Sequence, residues 1–154
     1  MARRLYPDQP VVGVGAVILD RGRVLLVRRG REPLKGKWSI PGGAVELGET
    51  RDQAVAREVR EETGLTVEVG PLVAVLDRIR RDDDGRVAYH YVLADYVCRP
   101  VAGTLASSSD VDEALWASLD DLERFDLTEG TLEVIRDAER IAAAWLSTGN
   151  GARE

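Results

Sequence analysis

The chain has 154 residues, 44% of them hydrophobic and 31% charged, with a net charge of −6, which suits one globular domain whose core needs no disulfide staples. The acidic balance argues against a nucleic-acid-coating surface, and no apolar run is long enough to span a bilayer. Cys98 is the only cysteine, so no intrachain disulfide can form and a reducing, cytoplasmic setting is favoured; the opening MARRLYPDQP lacks the apolar stretch of a signal peptide.

VVGVGAVIL at 11–19, then DRG, then RVLLVRR at 23–29 read as strand, tight turn and strand. Residues 28–37 form a polar loop rich in chain breakers. KWSI is a short apolar piece that runs into Pro41-Gly42-Gly43, where glycine permits backbone shapes that other residues resist. Thr50 and Gln53 have capping-box spacing and predict a helix over 50–63, which Gly64 ends. Residues 65–79 and VAYHYVLADYVC at 87–98 read as strands joined by an RDDDG turn, with Gly70-Pro71 shaping a bulge or turn. SSSDVDEALWASL holds a short strand around Leu115-Trp116, and Ser118-x-x-Asp121 predicts the cap of a short helix. Leu132, Ile135, Ala138, Ile141, Ala142 and Trp145 recur at three and four, so the last helix is amphipathic; residues 147–154 read as a frayed tail. The order β-β-loop-α-β-β-β-α-α implies an α+β fold with a mixed sheet between helices, a single domain over 1–154 with its core at about 10–146.

At 100° per residue, Val55, Ala56 and Val59 face the core from the first helix. Glu58, Glu61 and Glu62 share the neighbouring face, with Glu62 on the border of the apolar stripe. Ala54, one turn before Glu58, leaves space above the carboxylates. Arg57 flanks them and can hold a carboxylate by a two-pronged hydrogen bond. Like charges at this spacing repel by roughly 0.2–0.5 kcal/mol per pair. A solvated helix face is the common explanation of such a run. A hard divalent cation is the sharper one, because Mg²⁺ takes carboxylate, water and phosphate oxygens and would relieve the repulsion. The chain has no Cys or His cluster for zinc, and its single histidine, His90, lies within a strand and reads as structural.

The spacing around these carboxylates decides between the two explanations. Gly43, five residues, Glu49, seven residues, Arg57-Glu58-Val59, one residue, Glu61-Glu62, one residue, Gly64-Leu65 resembles, without departure, the box of the Nudix hydrolase family, G-x5-E-x7-R-E-U-x-E-E-x-G-U with U aliphatic. At average usage of about 7% per residue type, corrected upward for this Glu- and Arg-rich chain, a chance match is on the order of one in a million. The box spans 23 residues, and the flanking element order agrees with the family's α/β/α sandwich. LLVRRGREPLKGKWSIPGGAVELGE followed by a late SDV-x5-W segment looks most like the short ADP-ribose pyrophosphatase-like group of the family.

The resemblance implies hydrolysis of the pyrophosphate bond of a nucleoside diphosphate linked to some group X. ADP-ribose or a related nucleotide sugar is the leading substrate, giving AMP and a sugar phosphate. A normal or oxidised (d)NTP is the alternative, as in MutT-like pool sanitation, and a non-catalytic nucleotide-sensing module is the reading from another class. The resemblance makes Glu58, Glu61 and Glu62, with the Gly43 carbonyl, ligands of Mg²⁺ or Mn²⁺, oriented by Glu49 and Arg57. The general base is a box glutamate such as Glu61, or a carboxylate of SSSDVDEALW, with Glu113 first and Asp110 and Asp112 behind it. Arg28, Arg29 and Arg31 are candidates for phosphate contacts or for a solvated turn. Trp38 is a candidate for stacking on a base or for anchoring its loop. The partner implied is a small nucleotide, with no nucleic acid and no membrane. Many members of the family are homodimers, and VLADYVC at 92–98 is the segment that offers an edge strand.

Overall fold

The computed structural model describes residues 3–106 and 111–152. Its strands are β1 (Val11–Asp20), β2 (Arg23–Arg29), β3 (Trp38–Ser39), β4 (Gly42–Ala44), β5 (Leu65–Arg81), β6 (Val87–Gly103) and β7 (Val111–Ser118). The helices are α1 (Arg51–Thr63) and α2 (Thr131–Ala152), with a 3₁₀ turn at Leu122–Arg124.

β1 is the strand on which the others are assembled. Its residues Val11–Ile18 pair in parallel with Tyr91–Cys98 of β6, and Gly13–Gly15 pair antiparallel with β4. Leu19 and Asp20 close the hairpin to β2. The sheet runs β3-β2-β1-β6-β5, with β4 added on β1 and β7 on β2. A parallel pair needs a crossover connection, and here it contains α1. The sheet is therefore mixed and sandwiched between helices, the α/β/α arrangement expected from the element order.

Alternation along β1 divides the core in two. Val14, Ala16 and Ile18 join Ala94, Tyr96 and Cys98 against Ala54, Val55 and Val59 of α1. Val17, with Val97, Val24 and Leu26, packs against Ile135 and Ala138 of α2. α1 is fixed at both ends. Thr50 Oγ1 accepts from Gln53 N at 3.2 Å while Gln53 Oε1 accepts from Thr50 N at 2.9 Å. Gly64 closes the helix in the left-handed region at φ 79°.

Several details depart from the sequence expectations. Ala54 is fully buried and Ala56 only half-buried, so the apolar stripe of α1 lies one residue from where the wheel puts it. Two short strands, β3 and β4, flank Pro41 inside what reads as loop. The predicted short helix is the three-residue 3₁₀ turn, and its preceding residue, Asp121, makes no side-chain cap. Ser118 Oγ accepts from Asp120 N instead, because Leu122 is drawn fully into the core directly after the turn. Leu132 is exposed, and Thr131, Val134 and Ile135 are the buried residues at the start of α2. α2 continues through Ala152, into the segment that reads as a tail. The segment 92–98 is not an edge: β6 is hydrogen-bonded to β1 on one side and β5 on the other, and β5 is the outer strand. The Gly70-Pro71 irregularity is present as a register shift between Val69 and Leu72. No helix among the described residues is long and apolar enough to cross a membrane.

Replacing Gly64 tests the α1 terminus. A Cβ there would collide with the Thr104 carbonyl oxygen, and the left-handed backbone itself costs about 1–2 kcal/mol for a residue with a side chain. Gly64→Ala is expected to lower stability by about 2 kcal/mol or more, read from urea unfolding.

Candidate functional site

The box residues are gathered by one guanidinium. Arg57 Nε donates to Glu49 Oε2 at 2.7 Å and its Nη2 to Glu49 Oε1 at 2.9 Å, a two-pronged pair. Nη2 also donates to the Ala44 carbonyl of β4 at 2.9 Å. Nη1 donates to Glu58 Oε1 at 2.8 Å and to Glu61 Oε2 at 3.2 Å. Glu49 is itself held by the Glu46 backbone N–H at 3.0 Å. Hydrogen bonding to Arg57 holds the Glu49 carboxyl below its ordinary pKa, and the same bond leads the causes that raise Arg57.

Glu58 and Glu62 project from successive turns of α1 toward the Gly42-Gly43 bend. Glu62 is 9% exposed and accepts a hydrogen bond from Gly42 N at 3.3 Å. A Cβ on Gly43 would collide with the Glu58 carboxylate, so glycine is what lets β4 approach it. Burial pushes the Glu62 carboxyl up to about 8, with the negative Glu58 beside it adding to the shift. Glu58 is also raised by burial, opposed by Arg57. Two desolvated carboxylates side by side need counter-charge to ionise together; Arg57 supplies it to Glu58, and a hard cation would supply it to both. Both thus fit a divalent cation. Glu61 differs: it is exposed and drawn toward Arg57. Among the described residues no three acidic, histidine or cysteine side chains converge as a ready-made metal cage.

A cavity of about 720 Å³ opens beside these carboxylates, within the range of small-molecule sites. Glu58, Glu61, Glu62, Arg57, Gly42 and Gly43 stand along one wall. Arg29, Arg31 and the Glu32-Pro33-Leu34 turn form another, and Thr128–Thr131 at the start of α2 a third. Gly13 and Gly15 of β1 lie on the floor with Leu93 and Asp95 of β6.

The other predicted residues divide. Arg29 lines the cavity, its Nε donating to the Pro33 carbonyl at 2.7 Å, and burial lowers its pKa. Arg28 does not line it. Successive strand residues point to opposite faces, and Arg28 turns to Glu113, 3.7 Å away across the β2–β7 pair. Glu113, paired with Arg28 across the two strands, is not among the residues that line the cavity. Trp38 is not a cavity residue either. Its ring meets Phe125 edge-on at 5.3 Å, and its backbone is bonded to Asp126 and Thr128, so it anchors its loop. Asp110 lies outside the described residues, as does the side chain of Asp112. His90 is half-buried in β6 opposite Ile79. Sequence reasoning passed over Asp95, although a carboxylate inside the apolar run VLADYVC was a signal. It also passed over Tyr89, Tyr91, Arg78 and the Thr128–Thr131 turn, which carry none.

Residues 9–138 match the family model described as NUDIX domain. The chain is 36% identical over 121 residues to an ADP-ribose pyrophosphatase of Methanocaldococcus jannaschii, covering 79% of this chain and 69% of that protein. It is 31% identical over 109 residues to an 8-oxo-dGDP phosphatase of Mus musculus, covering 71% of this chain and 31% of that protein. Among solved structures it resembles a MutT Nudix hydrolase from Burkholderia pseudomallei at TM-score 0.74 and 35% identity, covering 84% of this chain and 98% of the other.

The buried carboxylates make stability depend on pH in a set direction. Their folded pKa values lie above the ordinary glutamate value, so folding favours the protonated forms. Stability of the cation-free protein is expected to fall as pH rises from that ordinary value through about 8. Tm measured in a chelator between about pH 5 and pH 9 should show this decline. Glu62→Gln should flatten most of it, and millimolar Mg²⁺ should raise Tm most at the alkaline end.

Proposed function

This chain belongs to the Nudix family and is a Nudix pyrophosphohydrolase, and on that premise we propose that it hydrolyses a nucleoside diphosphate linked to a sugar, with ADP-ribose as the leading substrate. The observation that carries the reading is the pair of desolvated carboxylates, Glu58 and Glu62, at the mouth of a nucleotide-sized cavity. The relative named as an ADP-ribose pyrophosphatase supports the choice of X. The reading takes residues 1–154 as one catalytic unit. Members of this family act on small nucleotides and generally use divalent metal ions; Mg²⁺ is the ion proposed here, with Mn²⁺ as the alternative.

Glu58, Glu62 and Glu61, with the Gly43 carbonyl, would hold the ion. When bound, it offsets the charge of the diphosphate, stabilises charge growing on the non-bridging oxygens and acidifies the attacking water. The chain's own residues do the rest. Arg57 and Glu49 keep Glu58 and Glu61 in register. Arg29 and Arg31 receive the diphosphate from the opposite wall. Glu61, the exposed member of the set on the cavity wall, accepts the proton of the attacking water. Water adds to one phosphorus, the P–O bond to the bridging oxygen breaks, and the products are a nucleoside monophosphate and the phosphate ester of X.

The relative named as an 8-oxo-dGDP phosphatase favours a second reading, the same chemistry on free nucleotides as pool sanitation. A panel of ADP-ribose, nucleotide sugars and normal and oxidised (d)NTPs with Mg²⁺ separates them. AMP plus ribose 5-phosphate is the expected product pair; a (d)NMP plus pyrophosphate from a triphosphate would move the protein to the second reading. Glu58→Gln and Glu62→Gln are each expected to lower kcat by about 100-fold or more with the fold retained. Glu113→Gln should leave kcat essentially unchanged, and a large loss there would reinstate it as the base.

A further inference from the structure

Asp95 lies on β6 between Leu93 and Val97 on the face that meets the cavity and α2. That position calls for an apolar side chain, yet it holds a carboxylate that is 5% exposed. It has no hydrogen-bonding partner among the described residues. Among the described residues the cation that acts on it is Arg78, through space, and Arg78 gives its own hydrogen bonds to the Glu129 and Asp77 carbonyls. The nearby Thr128 and Thr131 hydroxyls are bonded to each other at 2.5 Å. The carboxylate opens on the cavity from an otherwise buried position, so it is poorly solvated, and a ligand with a matching donor would supply its hydrogen bond.

The fold makes room for this carboxylate. A Cβ on Gly15 would collide with it, so the glycine leaves it lying across the cavity floor. The ladder runs Gly42, Gly15, Asp95 from β4 to β6, and Gly42 N holds Glu62. Two inter-strand steps of about 4.8 Å put the Asp95 backbone about 10 Å from that end, with its carboxylate leaning back over Gly15. Its neighbours Ile40, Leu76, Leu93 and Val134 are apolar. A carboxylate repels phosphate, so the group seated here is a neutral part of the ligand. With the Thr128 and Thr131 hydroxyls bonded to each other and Arg78 given to backbone carbonyls, the Asp95 carboxylate is the acceptor left on this side, and beside apolar side chains it suits the polar edge of a flat ring.

We propose that Asp95 reads the nucleobase, its carboxylate accepting a hydrogen bond from an exocyclic amino group, and so selects amino-bearing purines. This rests on the nucleotide-hydrolase reading above. Burial pushes the Asp95 carboxyl up to about 6; at higher pH it is ionised and only accepts hydrogen bonds. Nucleotides without a donor at that edge would leave it buried and unpaired, the arrangement that gives the strongest discrimination.

The test is calorimetric binding to the full chain with Mg²⁺ at about pH 8, above the Asp95 value. Two ligand pairs differ only in the amino group: AMP against purine riboside 5′-monophosphate, and GMP against IMP. In at least one pair the wild type is expected to favour the amino-bearing nucleotide by about tenfold or more. Asp95→Leu, similar in shape and without an acceptor, should bring that ratio close to one. Asp95→Ala serves as the second variant if leucine overfills the site, and cooperative thermal unfolding checks that each is folded. No amino preference in either pair, or a preference that survives both variants, overturns the proposal while leaving the hydrolase reading intact. Failure of the folded wild type to bind any of the four nucleotides would also overturn it, whereas the hydrolase reading stands or falls on turnover of the substrate panel.

Discussion

The arrangement depends on one side chain, Arg57, and on the need to hold several carboxylates together at the edge of a hydrophobic core. Its planar fork meets the loop before α1 through Glu49, the strand β4 through the Ala44 carbonyl, and its own helix through Glu58 and Glu61. A lysine has one charged point and cannot satisfy this set of acceptors in fixed directions. Through Arg57, loop, strand and helix are locked into one register. Glu58 and Glu62 can then sit desolvated at the cavity mouth without being pushed out by their mutual repulsion.

The cavity comes from a second economy, in β1. One face of this strand carries Val14, Ala16 and Ile18 into the core against α1. The other face has glycine at 13 and 15 before it returns to Val17. Missing side chains on a central strand leave a hollow in a layer that would otherwise be packed. β4 approaches closely on one side of that hollow, and β6 brings Leu93 and Asp95 along the other. The strand that nucleates both core clusters is therefore also the floor of the site.

Much of this was legible in the chain, and the legible parts are local. The capping box at Thr50 and Gln53, the terminating Gly64 and the carboxylates at three- and four-residue spacing follow from helix geometry, which depends on near neighbours alone. The parts that were not legible depend on which strand pairs with which. Arg28 and Arg29 are adjacent and chemically identical, yet only Arg29 reaches the cavity. What separates them is the pairing of β2 with β7, which directs Arg28 to Glu113. Trp38 has the composition of a base-stacking residue and becomes a loop anchor because Phe125 arrives from a distant turn.

By itself the sequence determined the element order, the mixed α+β class, the caps of α1 and the set of carboxylates brought to one helix face. Each of these is encoded in residues a few positions apart. Only the tertiary structure decided which of those carboxylates are buried, since Glu62 loses its water to β4 and the sheet, whereas Glu61, one residue earlier, keeps it. It also decided that 92–98 lies inside the sheet and not at its edge, and that the lone Asp95 opens on the cavity. Those outcomes follow from strand register and from long-range packing, whose partners are dozens of residues away and leave no periodic trace in the chain.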